Sequence, residues 1–263
     1  MFRQLRILAL LIVLFVVAVT TWQQQVRSTR WTTPLYVAIY PVAADSSPLT
    51  RSYVHALDQR AFQDIDEFFA HEARRYGVRE DQPIKTRLRR RLDELPPQRA
   101  ADAGFVESAL WSLKLRYWAW RVSGHAGEPE DIRVFVLYCD PALTPTVPHS
   151  AGLQKGLIGV VYAFATPVMT GTNEVVIAHE MLHTLGASDK YNPADDSPLF
   201  PIGFGDPLQR PPFPQLKGEI MAGRRVVSPT RWIQIAYLTD AVIGPATAVE
   251  INWPVHLTGG TRQ

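Results

Sequence analysis

Two histidines four residues apart, His179 and His183, with Glu180 beside the first, stand in the run HEMLHTLGASDKY from His179 to Tyr191. On an α-helix, residues four apart lie one turn above each other on the same face, so both imidazoles can reach one ion. The helical period turns Glu180 about 100° from His179, where its carboxylate can flank an ion without binding it. Neutral nitrogen ligands with a carboxylate base between them suit metal-assisted hydrolysis. Zinc brings the pKa of a water towards ~7, and a nearby carboxylate can take that water's proton. A tetrahedral site needs a third protein ligand. Gly186, three residues after His183, tolerates the left-handed conformation that ends a helix. A chain turning there places Asp189, six residues after His183, to return an oxygen to the same ion. The pattern is a helix, a stop and a returning ligand. The same letters also describe a plain helix with two surface histidines and a glycine cap.

Other residues compete for the third position. Glu219 offers a carboxylate, although its surroundings, GEIMAG, do not read as helix; Asp195 and Asp196 lie in a proline-rich stretch, and His149 is isolated in TVPHSAG. Tyr191 and Tyr237 are candidates to polarise a substrate carbonyl. His71-Glu72 imitates half of the motif, but position 75 is Arg, so no second histidine follows. The single cysteine, Cys139, lies in the apolar run VFVLYCD and reads as a buried structural thiol. One cysteine excludes both an internal disulfide framework and a cysteine-rich zinc site.

Elements must position these groups. Leu35 to Val42 reads as a strand, and Ser52 to Arg75 as helix closed by Gly77. Residues 79–104, interrupted by Pro83, Pro96 and Pro97, predict short helix and loop, with the basic run Lys85 to Arg91 as a solvated helix face. Phe105 to Arg121 has a helical period, and its Trp111, Trp118 and Trp120 read as core packing. Ile132 to Cys139 and Leu157 to Pro167 predict strands, and Asn173 is placed to cap the helix that carries the motif. From Asn192 to Pro214, seven prolines and two glycines predict a long irregular loop. Ser228 and Pro229, followed by Trp232, Ile235, Ala236 and Leu238, predict a final helix.

The first thirty residues differ in kind. Arg3 and Arg6 precede unbroken hydrocarbon from Ile7 to Val19, then Trp22. No clean cleavage site follows, so an uncleaved signal anchor is favoured over a cleaved signal peptide, and the rest of the chain is expected to be exported. That divides the chain into an N-terminal segment, 1–30, and one domain, 31–263. A single-pass protein facing the periplasm from the inner membrane, or a secreted one if the N-terminus is cleaved, is the expected location. With 46% hydrophobic and 20% charged residues a sizeable core is available. A net charge of +2 gives no reason to expect nucleic acid.

HEMLHTLGASD resembles the extended zinc signature of the metzincin metallopeptidases, in the aspartate form found in snapalysin-type and immune-inhibitor-A-type proteases. Glu219-Ile220-Met221-Ala222-Gly223 is similar to that family's methionine turn. The order of elements also resembles it, which implies an α+β fold: a mixed sheet with the motif helix in an upper subdomain and a smaller helical C-terminal subdomain. The resemblance implies Zn2+ held by His179, His183 and Asp189, with Glu180 as general base and then acid, and Met221 beneath. Leu157 to Pro167 would be the edge strand for an extended peptide or protein substrate, or else an internal strand, the two readings being equally open. The aspartate in place of the commoner histidine leaves the metal's identity open. A zinc-stabilised binding module without turnover is the alternative, although binding alone does not require Glu180.

Overall fold

A computed structural model describes residues 30–98, 104–123, 130–148, 150–153 and 157–255. The expected N-terminal anchor and His149 lie outside the described residues. No helix among those described is long and apolar enough to cross a membrane. The fold is α+β with two sheets, the larger of them mixed.

The larger sheet holds β1 (Leu35–Ala43), β2 (Ile84–Leu88), β3 (Ile132–Cys139), β4 (Ala151–Leu153) and β5 (Ile158–Phe164), in the order β2-β1-β3-β5-β4. All neighbours are parallel except β4, which runs antiparallel to β5. β1 and β3 are apolar nearly throughout because both faces of the sheet are covered. Val37, Ile39, Val134 and Val136 point into one core, shared with α1 (Pro48–Ala56), α2 (Gln63–Tyr76) and α4 (Thr170–Leu185). Ala38, Tyr40, Phe135 and Leu137 point the other way, against Leu115, Trp118 and Val122 of α3 (Phe105–Val122). A smaller sheet, β8-β7-β6-β9, is built from β6 (Gly218–Glu219), β7 (Arg224–Ser228), β8 (Arg231–Gln234) and β9 (Ala241–Val242), and α5 (Pro245–Glu250) follows it.

Several expectations change. The last predicted helix is the hairpin β7–β8, so the C-terminal part is mainly strand rather than helical. Ser228 pairs with Arg231 across a two-residue turn, in which Pro229 pre-sets the turn dihedral rather than starting a helix. Val226, Trp232 and Ile233 supply strand-forming side chains to the ladder. The basic run is not a helix face. Ile84 and Thr86 point inward from β2, while Arg90 donates to Val122 O at 2.7 Å and Arg91 to Val54 O at 2.8 Å, tying the run to neighbouring elements. Of the two readings of Leu157 to Pro167 the internal one holds, since β5 lies between β3 and β4, and the edges are β2 and β4. Asn173 does not cap α4, which begins at Thr170. Its side chain instead accepts from Phe164 N (3.0 Å) and donates to Phe164 O (2.9 Å), fastening α4 to β5. Of the three tryptophans, Trp118 is buried, whereas Trp120 is 56% exposed.

α4 sits where its apolar stripe places it. Ile177, Ala178, Met181, Leu182 and Leu185 recur at helical spacing and are all buried. Burying each of the larger ones contributes about 1.5–3 kcal/mol. That anchoring fixes the rotation of the helix and leaves His179 and His183 partly buried on its other side.

Candidate metal centre

The site begins where α4 stops. Gly186 adopts φ 106°, a left-handed conformation that a Cβ would strain. Its N–H donates to His183 O at 3.1 Å, and Ala187 N donates to Leu182 O at 3.0 Å, closing the last turn. The chain then doubles back. Asp189 Oδ1 lies 3.2 Å from His179 Nε2 and 3.1 Å from His183 Nε2. The two rings stand at 82° to each other with centroids 4.7 Å apart.

Each imidazole is fixed from behind. His183 Nδ1 is 2.8 Å from Ala187 O, and His179 Nδ1 is 3.0 Å from Ile220 O. A carbonyl oxygen only accepts, so both Nδ1 atoms donate. In the neutral rings each Nε2 therefore keeps its lone pair, directed at Asp189. Asp189 as a carboxylate also only accepts. Three acceptors with no donor between them repel unless a cation sits among them or extra protons bind. The 3.1 and 3.2 Å separations match the edge, about 3.3 Å, of a tetrahedron with metal–ligand bonds of about 2.0 Å. His179, Glu180 and His183 could hold a metal ion, since their ligand atoms lie within 4.8 Å of one another.

Protonated rings are the other way to relieve the cluster. Burial raises the Asp189 carboxyl, but hydrogen bonds and charge from imidazoles in that form outweigh it and hold Asp189 well below the usual carboxylate range. Burial lowers His179, yet Asp189, Glu180 and the Ile220 carbonyl together leave it raised. Glu180 is raised, chiefly by burial and further by Asp189, against the pull of the imidazoles and of the Gly152 N–H. Its Oε2 is buried without a hydrogen-bond partner. A buried acceptor of this kind is costly unless a ligand or water donates to it.

The surrounding turns hold the geometry. Ile220 and Met221 belong to a 3-10 turn, Ile220–Ala222, that lies directly behind His179, with Met221 fully buried. Glu219 is not a competing ligand, because its carboxylate accepts from Ala222 N (2.9 Å), Gly244 N (3.1 Å) and Thr247 Oγ1 (2.6 Å). Asp195 bonds Ser197, and Asp196 pairs with Arg224 at 2.6 Å, so both are engaged elsewhere. Tyr191 is raised by burial and further by the charges of Asp189, Asp196 and Glu180. Tyr237 is exposed and packs against Gly171 at the start of α4. His71-Glu72 is structural, as Glu72 is fully buried and accepts from Arg75 and from Ile243 N.

Three contributors had no sequence signal of their own. Lys190 is 1% exposed, and its Nζ donates to Ser188 O, Ser188 Oγ and Glu250 Oε2 at 2.8, 2.8 and 2.6 Å. Its backbone N–H donates to Met221 O at 3.0 Å, so one residue joins the Asp189 loop to the turn behind His179. Glu250 lies 60 positions from Lys190 in sequence. Gly152 brings the β4 backbone against α4: a Cβ there would lie 2.5 Å from Glu180 O and 2.6 Å from His183 Cβ.

No family model matches the sequence, and no curated protein matches it. Among solved structures the chain is similar to wild-type OgpA from Akkermansia muciniphila, at 11% identity and a TM-score of 0.37, over 88% of this chain. The chain spans 66% of the length of that OgpA chain.

Proposed function

We propose that the chain is a zinc-dependent metalloendopeptidase with a metzincin-like site. In this reading His179, His183 and Asp189 hold the metal and Glu180 is the general base. One observation carries it: three acceptor atoms converge at tetrahedral-edge distances, with a buried carboxylate oxygen, Glu180 Oε2, left without a partner beside them. Zinc fits this donor set of two neutral imidazoles and one carboxylate. When bound, it supplies Lewis acidity that polarises a carbonyl and makes water acidic near neutral pH.

The residues of the chain divide the remaining work. The Ala187 and Ile220 carbonyls hold each ring in the tautomer that leaves Nε2 free. Glu180, made a stronger base by burial, takes the proton of the attacking water and returns it to the leaving amine nitrogen. β4 is an edge strand of its sheet and presses on Glu180 through Gly152. An extended peptide or protein substrate would add to that edge by backbone hydrogen bonds, with its scissile bond carried past Glu180. The expected membrane anchor and exported location belong to the same proposal. They rest on the hydrocarbon run Ile7 to Val19 behind Arg3 and Arg6.

The test uses full-length protein and its Glu180→Gln variant, both assayed for metal content and against a broad peptide library. Equal zinc content, with cleavage at least about 100-fold slower in the variant, is expected. Equal metal with no cleavage by either protein would favour the binding module.

A further inference from the structure

Away from the His179–Asp189 cluster, a cavity of about 900 Å³ opens between α2, the start of α4 and the segment Tyr237–Ala241. Asp64, Glu67 and Asp81 line it with Glu174, and Phe68, Tyr237 and Leu238 give it apolar walls. His71, Arg74 and Lys217 line it as well. On α2 the acids come first and the bases follow, ten residues or about 15 Å separating Asp64 from Arg74.

Glu174 is the unusual member. It is 7% exposed and lines the cavity, yet it has no hydrogen-bond or ion-pair partner among the described residues. Carboxylates that deep are normally paired, because an unpaired charge in low dielectric is costly. Its surroundings deepen the deficit: Asp64 adds negative charge, and Tyr53 and Tyr138 are the other titrating neighbours it influences. A metal ion is the wrong occupant. The cluster at His179, Glu180 and His183 is the one group among the described residues whose ligand atoms converge closely enough for a metal, and the cavity carboxylates form no such group. Carboxylates spread along apolar walls suit a larger cation whose charge sits on a hydrocarbon stem.

We propose that this cavity binds a primary ammonium group on an apolar stem, with Glu174 as its anchoring carboxylate and Asp64 as a second, outer charge. The ammonium can come from a free amine or from a peptide amino terminus. The site does not depend on the metal-centre reading, because Glu174 and its neighbours on α2 take no part in that centre.

Benzylamine is the probe, titrated calorimetrically into the full-length protein at pH 8.5. Burial and the nearby Asp64 push Glu174 up to about 7, so at that pH its carboxylate is charged. Saturable binding is expected, weakened at least tenfold in Glu174→Gln and two- to fivefold in Asp64→Asn. Benzyl alcohol, the neutral isostere, is expected to show none. A tripeptide with a free amino terminus, set against its acetylated form, tells the two sources apart: binding by the free form alone assigns the peptide terminus, and binding by neither form assigns the small amine. Absence of saturable benzylamine binding overturns the proposal. So does an equal affinity for benzyl alcohol, or an unchanged affinity in both variants. Should Glu174→Gln lose its cooperative thermal transition, the surface variant Asp64→Asn decides alone.

Discussion

Replacing Lys190 by methionine removes a buried cation while keeping the volume of its stem. Three hydrogen bonds disappear, to Ser188 O, Ser188 Oγ and Glu250 Oε2. Deleting one partner of a fully buried pair costs about 3–5 kcal/mol. Glu250 is 31% exposed at its side chain and keeps its bonds to Ser188 N (2.9 Å) and Ser188 Oγ (2.7 Å). Water can therefore reach the orphaned carboxylate, and a cost of about 2–3 kcal/mol is expected. At about 3 °C per kcal/mol for a domain of this size, the melting temperature falls by about 6–9 °C. Ser188 precedes Asp189 in the returning loop, so the loop loosens and zinc affinity drops by about 10–100-fold, as when an outer-shell partner is lost. The assay is thermal unfolding with and without chelator, together with a competition titration of zinc. A variant that keeps both its melting temperature within 1–2 °C and its zinc affinity would refute the claim that Lys190 sets the position of Asp189.

Gly152→Ala would force a methyl against Glu180 O and His183 Cβ, at 2.5 and 2.6 Å. Overpacking of that kind costs about 1–3 kcal/mol, and peptide cleavage should fall further than stability does; an active, fully stable variant would show that β4 does not press on the site. Burial pushes the Asp66 carboxyl up to about 6, partly opposed by the Thr86 N–H it accepts at 2.8 Å. Its folded pKa exceeds the unfolded value of about 3.9, so its contribution to stability is full below about pH 4 and declines as pH rises to about 6. Discounted for its partial exposure, that loss is about 1 kcal/mol in the wild type and absent in Asp66→Asn; identical denaturation profiles between pH 4 and 7 would contradict the assignment.

The candidate site was legible in sequence where its residues are local. His179, Glu180, His183, Gly186 and Asp189 lie within eleven residues, and helical period plus one left-handed glycine bring them together. The strands β1 and β3 were equally readable, because burial on both faces makes them continuously apolar. What escaped depends on partners distant in the chain. β2 reads as a charged stretch until β1 pairs with it, and Arg90 and Arg91 just beyond it find carbonyls on other elements. The Ser228–Leu238 segment carries a helix-start signal, Ser-Pro, that serves equally well as a tight turn. Its pairing with Arg224 to Ser228 settled the choice. Whether β5 was an edge or internal stayed open in sequence, because the strand outside it, β4, has three residues and is too short to announce itself. Glu219 looked like a rival ligand only until Gly244 and Thr247 were seen to occupy its oxygens.

Zinc K-edge absorption on the purified, zinc-loaded full-length protein tests the central claim most directly, because it reads the ligands and not the catalysis. Two imidazole nitrogens and low-Z oxygen neighbours at about 2.0–2.2 Å, with one imidazole lost in His183→Ala and one oxygen in Asp189→Ala, are expected. A spectrum unchanged by both substitutions, or a protein that takes up no zinc, would contradict the convergence of these three side chains on one ion.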